Sequence, residues 1–354
     1  AVQACLRYLS GGHNAGGSSE AGQPRAAGAS SSAGSRFRIV RFHKEGGLGQ
    51  VWVATDQELH RDVALKDIKS RHADVSEFRS RFVTEAEITG GLEHPGVVPV
   101  YGLGQYEDGR PFYVMRFIRG DSLADALERF DAPGASRADP GERALELRQL
   151  LGRFIDVCNA IEYAHSRGVL HRDLKPGNIM LGEYGETLVV DWGLAKASDR
   201  FAGEEAPKEQ AIRPTIVEGS VPTQMGSAMG TPQYMSPEQA GGRLDEMGPA
   251  TDVYSLGATL YCVLTGRPPF GGPSVSAILE KVQTGRFPRP RERRPGLPRA
   301  LESICLKAME LEPADRYDSP RQLAEEVERW MADEPVRAMK ETPVERLSRW
   351  ARRN

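Results

Sequence analysis

Val169–Gly193 reads VLHRDLKPGNIMLGEYGETLVVDWG. Asp173, Lys175, Asn178 and Asp191 follow one another there at the spacing that phosphoryl transfer from ATP needs. The Asp173 carboxylate can orient a hydroxyl nucleophile, and the Lys175 ammonium can steady the moving phosphoryl group. The Asn178 amide oxygen and the Asp191 carboxylate are oxygen ligands of the kind magnesium takes. Short motifs match by chance, but a run this long followed at this distance by Asp-x-Gly seldom does. A glycine-rich turn carrying solvated acids is the weaker explanation.

On these residues the chain resembles the eukaryotic-type (Hanks-type) serine/threonine protein kinases also found in bacteria, from about Phe37 to about Trp330. The resemblance implies an α+β, bilobal protein-kinase-like fold. A small β-rich N-lobe (37–117) would precede a larger, mainly helical C-lobe (118–333), with the nucleotide in the cleft between them. It implies Asp173 as the base or hydroxyl-orienting group, Lys175 as the mark of a Ser/Thr-type loop, and Asn178 and Asp191 as metal ligands. Trp192 replaces the family's usual phenylalanine, so altered packing is expected there without loss of metal binding.

Upstream, FRIVRF (37–42), QVWVATD (50–56), DVALKDI (62–68) and FYVMRFI (112–118) alternate as strands do, broken by one helical stretch over 77–92. Between the first two lies Glu45-Gly46-Gly47-Leu48-Gly49-Gln50-Val51, where a phosphate cover belongs. Glycine lets backbone amides approach phosphate oxygens without a Cβ in the way. The family pattern has three glycines, G-x-G-x-x-G. Gly46 and Gly49 fill the second and third places, Gly47 lies between them, and Lys44 occupies the first. Lys66 sits in an apolar strand, where an ammonium is costly unless partnered. The resemblance has it hold the α- and β-phosphates while Glu85 orients it. It also places Met115 as gatekeeper, Arg116, Phe117 and Ile118 as the hinge whose backbone bonds the adenine, and Val51, Ala64 and Met180 around the ring.

Downstream the pattern turns helical. Apolar residues recur at helical spacing over 145–167, 251–264 is almost wholly apolar, and 299–331 reads as two helices broken at Pro313 and Pro320. Gly230–Glu238 (GTPQYMSPE) resembles the end of an activation segment, with Ser236 in place of alanine. Thr231 would contact the catalytic Asp and Lys, Glu238 would pair with Arg316, and Asp252 would anchor the catalytic loop. Arg172 commonly receives a phosphate in this family. Thr215, Ser220, Thr223 and Ser227 are the available acceptors, and Thr223 is the first candidate.

The remaining segments are polar. Residues 1–36 read as a flexible Gly/Ala/Ser-rich segment, 131–143 as a surface loop, 198–229 as a charged and Pro/Ser/Thr-bearing insert, and 334–354 as a basic tail. Arg286–Arg299 (RFPRPRERRPGLPR) is basic and proline-rich, and reads as a solvated interhelical loop in preference to a dock for an acidic substrate. A 354-residue chain of 39% hydrophobic and 27% charged residues with net charge −3 is an ordinary globular composition that gives no reason to invoke nucleic acid. Its four cysteines are scattered, which disfavours a zinc site or disulfides. No apolar run approaches the ~18 residues of a membrane span, and the residues shown lack the basic start and apolar core by which a signal peptide would be expected. The location expected is cytoplasmic, with tethering through residues beyond this chain left open.

The expectation is therefore an ATP- and magnesium-dependent protein serine/threonine kinase acting on protein hydroxyls, its own activation segment included. A pseudokinase scaffold and a small-molecule phosphotransferase are the rivals. The complete set of catalytic residues argues against the first, and Lys175, Thr231 and Ser236-Pro237-Glu238 argue against the second.

Overall fold

A computed structural model describes residues 36–132, 139–197, 230–343 and 346. The alternating strands form an antiparallel meander of β1 (Phe37–Glu45), β2 (Gly49–Asp56) and β3 (Arg61–Ile68). Helices α1 (Ser70–Ala73) and α2 (Ser76–Gly91) follow, then β4 (Val100–Gln105) and β5 (Pro111–Arg116) complete a sheet ordered β1-β2-β3-β5-β4. Register decides what this sheet presents. Val51 lies opposite Lys66, Lys66 opposite Tyr113, and Ala64 opposite Met115. With a side-chain period of two, these residues share the face toward α2 and the cleft. The other face buries Ala54, Val63, Leu65, Phe112 and Val114 beneath Trp52 and Tyr106.

Past the hinge, β6 (Gly120–Ser122) leads into α3 (Leu123–Phe130), capped by Ser122 and Asp125 in a reciprocal box. Next come α4 (Pro140–Ser166), β7 (Val169–Leu170), β8 (Ile179–Gly182), β9 (Thr187–Val189) and β10 (Lys196–Ala197). The described chain then forms α5 (Pro237–Ala240), α6 (Pro249–Thr265), α7 (Val275–Gln283), α8 (Pro290–Arg293), α9 (Arg299–Ala308) and α10 (Pro320–Met331). Helix α6 is buried from Thr251 to Thr265, which is why its sequence is mostly apolar, with a few small polar residues and Asp252 among them. It stops at Gly266, whose φ of 73° few other residues tolerate and where a Cβ would collide with Asp131. Around α6, the core of the large lobe takes in Leu151, Phe154, Ile161, Ile304 and Val327.

Two expectations need revision. The loop read over 131–143 ends sooner, because α4 begins at Pro140. Asp139 accepts a hydrogen bond from the Gly141 amide at 3.0 Å and Pro140 fills the first turn, so Asp-Pro was a helix start. The basic Arg286–Arg299 stretch is not a plain loop, since its middle forms α8 and its end α9. Beyond α10 the chain stays on the lobe: Val336 is buried, and Glu326 accepts from the Arg337 and Ala338 amides at 3.0 and 2.8 Å.

Cys158, Cys262 and Cys305 are buried and unpaired. Among the described residues no helix is long and apolar enough to cross a membrane. Cys5, the 198–229 insert with Thr215, Ser220, Thr223 and Ser227, and nearly all of 344–354 lie outside the described residues.

Candidate active site

The small lobe delivers one charged cluster to the cleft. Lys66 Nζ donates to Glu85 Oε1 at 2.5 Å and to Asp191 Oδ1 at 3.3 Å, while Tyr113 Oη donates to the same Glu85 oxygen at 2.8 Å. Lys66 and Glu85 are buried, so neither charge is tolerable alone. Burial works against charge on Lys66, yet the facing Glu85 and Asp191 carboxylates outweigh it and raise its pKa above the ordinary value. Lys66 in turn holds the Asp191 carboxyl below the usual carboxylate range. Glu85 Oε2 has no hydrogen-bond partner among the described residues and lies where a Cβ on Gly193 would meet it at 3.0 Å. A side chain at Gly193 would therefore press on the helix carboxylate.

The glycine-rich turn closes through the Gly46 amide on the Gly49 carbonyl at 2.9 Å. A Cβ on Gly49 would fall 2.6 Å from the Asp67 carbonyl, whereas space is open at Gly47 and nearly so at Gly46. Nothing in the protein therefore demands glycine at 46 or 47. Lys69 bridges the turn from the end of β3, its Nζ on Glu45 at 2.7 Å and its amide on the Leu48 carbonyl at 3.1 Å. At the hinge, the Arg116 amide bonds the Pro99 carbonyl at 2.9 Å and its guanidinium turns away to Glu186 at 2.6 Å. Phe117 packs edge-on against His43, Ile118 follows partly buried, and Met180 lies on β8 opposite Leu188.

The large lobe delivers the second cluster. Lys175 Nζ donates to Asp173 Oδ2 at 2.6 Å and to Thr231 Oγ1 at 2.7 Å, and the Thr231 amide donates to Asp173 Oδ1 at 2.9 Å. Asn178 spends its amide hydrogens on the Asp173 carbonyl at 2.9 Å and on Oδ2 at 3.3 Å. Its oxygen is the end left for a cation. No group of three or more His, Cys, Asp or Glu residues suited to a metal occurs among the described residues. One carboxylate and one amide suit magnesium, which completes its shell with water and substrate phosphates.

Both loops carry backbone in a sparsely populated region, Arg172 at φ 64° and Asp191 at φ 65°, and the Arg172 loop is held from below. Asp252, fully buried, accepts from the His171 and Arg172 amides at 2.9 and 2.8 Å and contacts His165 Nε2 at 2.8 Å. Gln239 donates to the Arg172 carbonyl at 2.7 Å. Glu238 and Arg316 form a buried bidentate pair, both contacts 2.9 Å, and Arg316 further caps the Ala250 and Leu311 carbonyls. Ser236 does more than replace alanine: its hydroxyl caps α5 through the Gln239 amide at 3.3 Å. Trp192 is buried with its ring 4.6 Å from His171, and its indole N–H finds no partner among the described residues.

Tyr113, His165, Gln239 and Lys69 were not anticipated. Tyr113 was within reach, since it lies two residues before Met115 on the face of Lys66. The other three act across long sequence separations that leave no local pattern.

The protein kinase domain family matches residues 44–327. The serine/threonine-protein kinase PknD of Chlamydia pneumoniae is 36% identical over 303 residues, covering 85% of this chain and 31% of that protein. PknD of Protochlamydia amoebophila is 33% identical over 300 residues (83% and 30%). The serine/threonine-protein kinase PknB of Mycobacterium tuberculosis is 35% identical over 318 residues (88% and 46%). The chain thus spans less than half the length of these curated relatives. With its sheet lobe, helical lobe and two facing clusters, the chain belongs to the protein kinase domain family, among the Hanks-type serine/threonine kinases of bacteria.

Proposed function

We propose that this chain transfers the γ-phosphoryl group of ATP to serine or threonine hydroxyls of proteins. The observation that carries the reading is the triangle of Asp173, Lys175 and Thr231 beside the Lys66–Asp191 contact. Asp173 accepts the hydroxyl proton as oxygen attacks phosphorus in line, and the bond to the leaving β-phosphate oxygen breaks. Lys175, held by Thr231, balances charge on the moving phosphoryl group. Lys66, fixed by Glu85 and Tyr113, bears on the α- and β-phosphates. Gly46, Gly47 and Gly49 let amides approach from above, with Val51, Ala64, Met115 and Met180 around the adenine and the backbone of Arg116 and Ile118 bonding its edge. Magnesium, held by Asp191 and Asn178, would neutralise phosphate charge when bound. Positioning and charge balance make up most of the catalysis.

The same reading covers regulation. Burial pushes the Arg172 guanidinium pKa down to about 10, with the Arg81 cation adding to the effect against Asp252. A phosphate on the activation segment, Thr223 first among the candidates, would supply the anion that this corner favours. A cytoplasmic site of action follows from the need for ATP.

Incubation with Mg·ATP and a Ser/Thr acceptor protein tests the whole. Phosphoserine or phosphothreonine forms with the wild type and is lost in Asp173→Asn. Nucleotide binding without transfer by the wild type would make the chain a scaffold, and transfer only to small hydroxylated acceptors would make it a small-molecule phosphotransferase.

A further inference from the structure

Arg286–Arg299 holds six arginines against the single acid Glu292, in a chain whose net charge is −3. It is held firmly in place. Phe287 packs edge-on against Tyr261 and Phe270, the Tyr261 hydroxyl donates to the Pro288 carbonyl at 2.8 Å, and Pro290 and Leu297 are buried. The two nearest acids are engaged with backbone amides, Glu302 buried and Glu292 at the surface. Glu292 accepts from the Arg289 amide at 3.1 Å, and Glu302 from the Arg291 amide at 2.9 Å. Arg294 leaves the surface to pair with Asp131 over the Phe130 ring. Arg286, Arg289 and Arg291 are exposed, and their guanidinium groups pair with no carboxylate among the described residues.

We infer that this ridge is a docking surface for an acidic polypeptide segment, carried by a protein substrate away from its acceptor hydroxyl. Guanidinium forks match carboxylates and phosphates, and a rigid backbone lowers the ordering cost of binding. A lipid surface is the poorer fit, because the apolar residues Phe287 and Leu297 point into the core and none beside them is free to insert. The inference rests on the kinase reading for its purpose, though binding at the ridge does not require transfer.

The test compares a short Ser/Thr acceptor peptide with the same peptide extended by a flexible linker and a run of Asp and Glu. The wild type is set against Arg286→Glu/Arg289→Glu/Arg291→Glu. For the wild type the tail lowers KM about tenfold at low salt, as expected for three exposed charge contacts acting together, with kcat unchanged. In the variant that advantage disappears, while the plain peptide is phosphorylated equally by both. Fluorescence anisotropy of the labelled tail alone reads binding without turnover and separates failure of the dock from failure of the kinase reading. An advantage that survives in the variant, or a labelled tail displaced from neither protein by raised salt, overturns the inference. So does selective loss of binding to phosphatidylserine vesicles in the variant when the tail binds both proteins alike.

Discussion

The two lobes hold their chemistry by different means. In the large lobe, Asp173 stands on a loop anchored by the buried Asp252 of α6 and by Gln239, with the buried Glu238–Arg316 pair beside the start of α6 and a continuous apolar core beneath. In the small lobe, Lys66 hangs from a sheet with thin apolar layers on its two faces, and its position depends on a few polar contacts. On the proposed reading, the proton-accepting side is therefore backed by a deep packed core, and the nucleotide side rests on a few charged contacts. Damage to the first is expected to lower stability, and damage to the second to change nucleotide handling in a protein that still folds.

The largest expected effect removes the proposed proton acceptor. Asp173→Asn loses about 10²- to 10⁴-fold in kcat, with a melting temperature close to wild type because asparagine keeps an oxygen for the Thr231 amide. Steady-state kinetics and calorimetry on one preparation read both. Next is Arg316→Ala, which leaves Glu238 buried and alone and costs about 3–5 kcal/mol of stability by denaturant unfolding. A loss near zero would mean that the large lobe does not depend on this clamp.

Acid sharpens the same contrast. Burial alone would raise the Glu238 carboxyl, but its bonds to Arg316 win and hold it below its ordinary 4.5. A depressed folded pKa means the stabilisation is complete above the unfolded value and fades as pH falls through the folded one. Unfolding free energy from Glu238 is thus flat from neutrality to about pH 5 and declines below about 4.5, and Glu238→Gln makes that decline shallower. Asp252 acts in the same direction, its carboxyl also depressed despite full burial. The smallest effect belongs to the small lobe. Lys69→Met, which frees Glu45 and the phosphate turn, raises KM for ATP about two- to fivefold with kcat little changed. The charge exchange Glu45→Lys/Lys69→Glu restores part of it.

How much could be read beforehand follows the same division. His171–Asn178 and Asp191–Gly193 were legible because phosphate and metal chemistry fix residue types at short spacing. Helix α6 was legible because burial over Thr251–Thr265 leaves it mostly apolar, with Asp252 its one charged residue. The start of α4 was missed when Asp139-Pro140 was counted as loop punctuation and not as a cap. Asp252 and Arg316 were placed by resemblance, since a bond from α6 to the His171 amide spans 81 positions and leaves no periodicity. The rigidity of the arginine ridge was hidden for a like reason: Tyr261 lies on α6, distant in sequence from the carbonyl that it pins.

Single-turnover transfer of labelled γ-phosphate from Mg·ATP to a Ser/Thr acceptor, run with wild type and Asp173→Asn after nucleotide binding by both is verified, is the most direct measurement. Acid-stable label on serine or threonine from the wild type alone is the predicted result. Equal transfer by both proteins would contradict the assignment of Asp173, and none from a nucleotide-bound wild type would contradict the kinase reading itself.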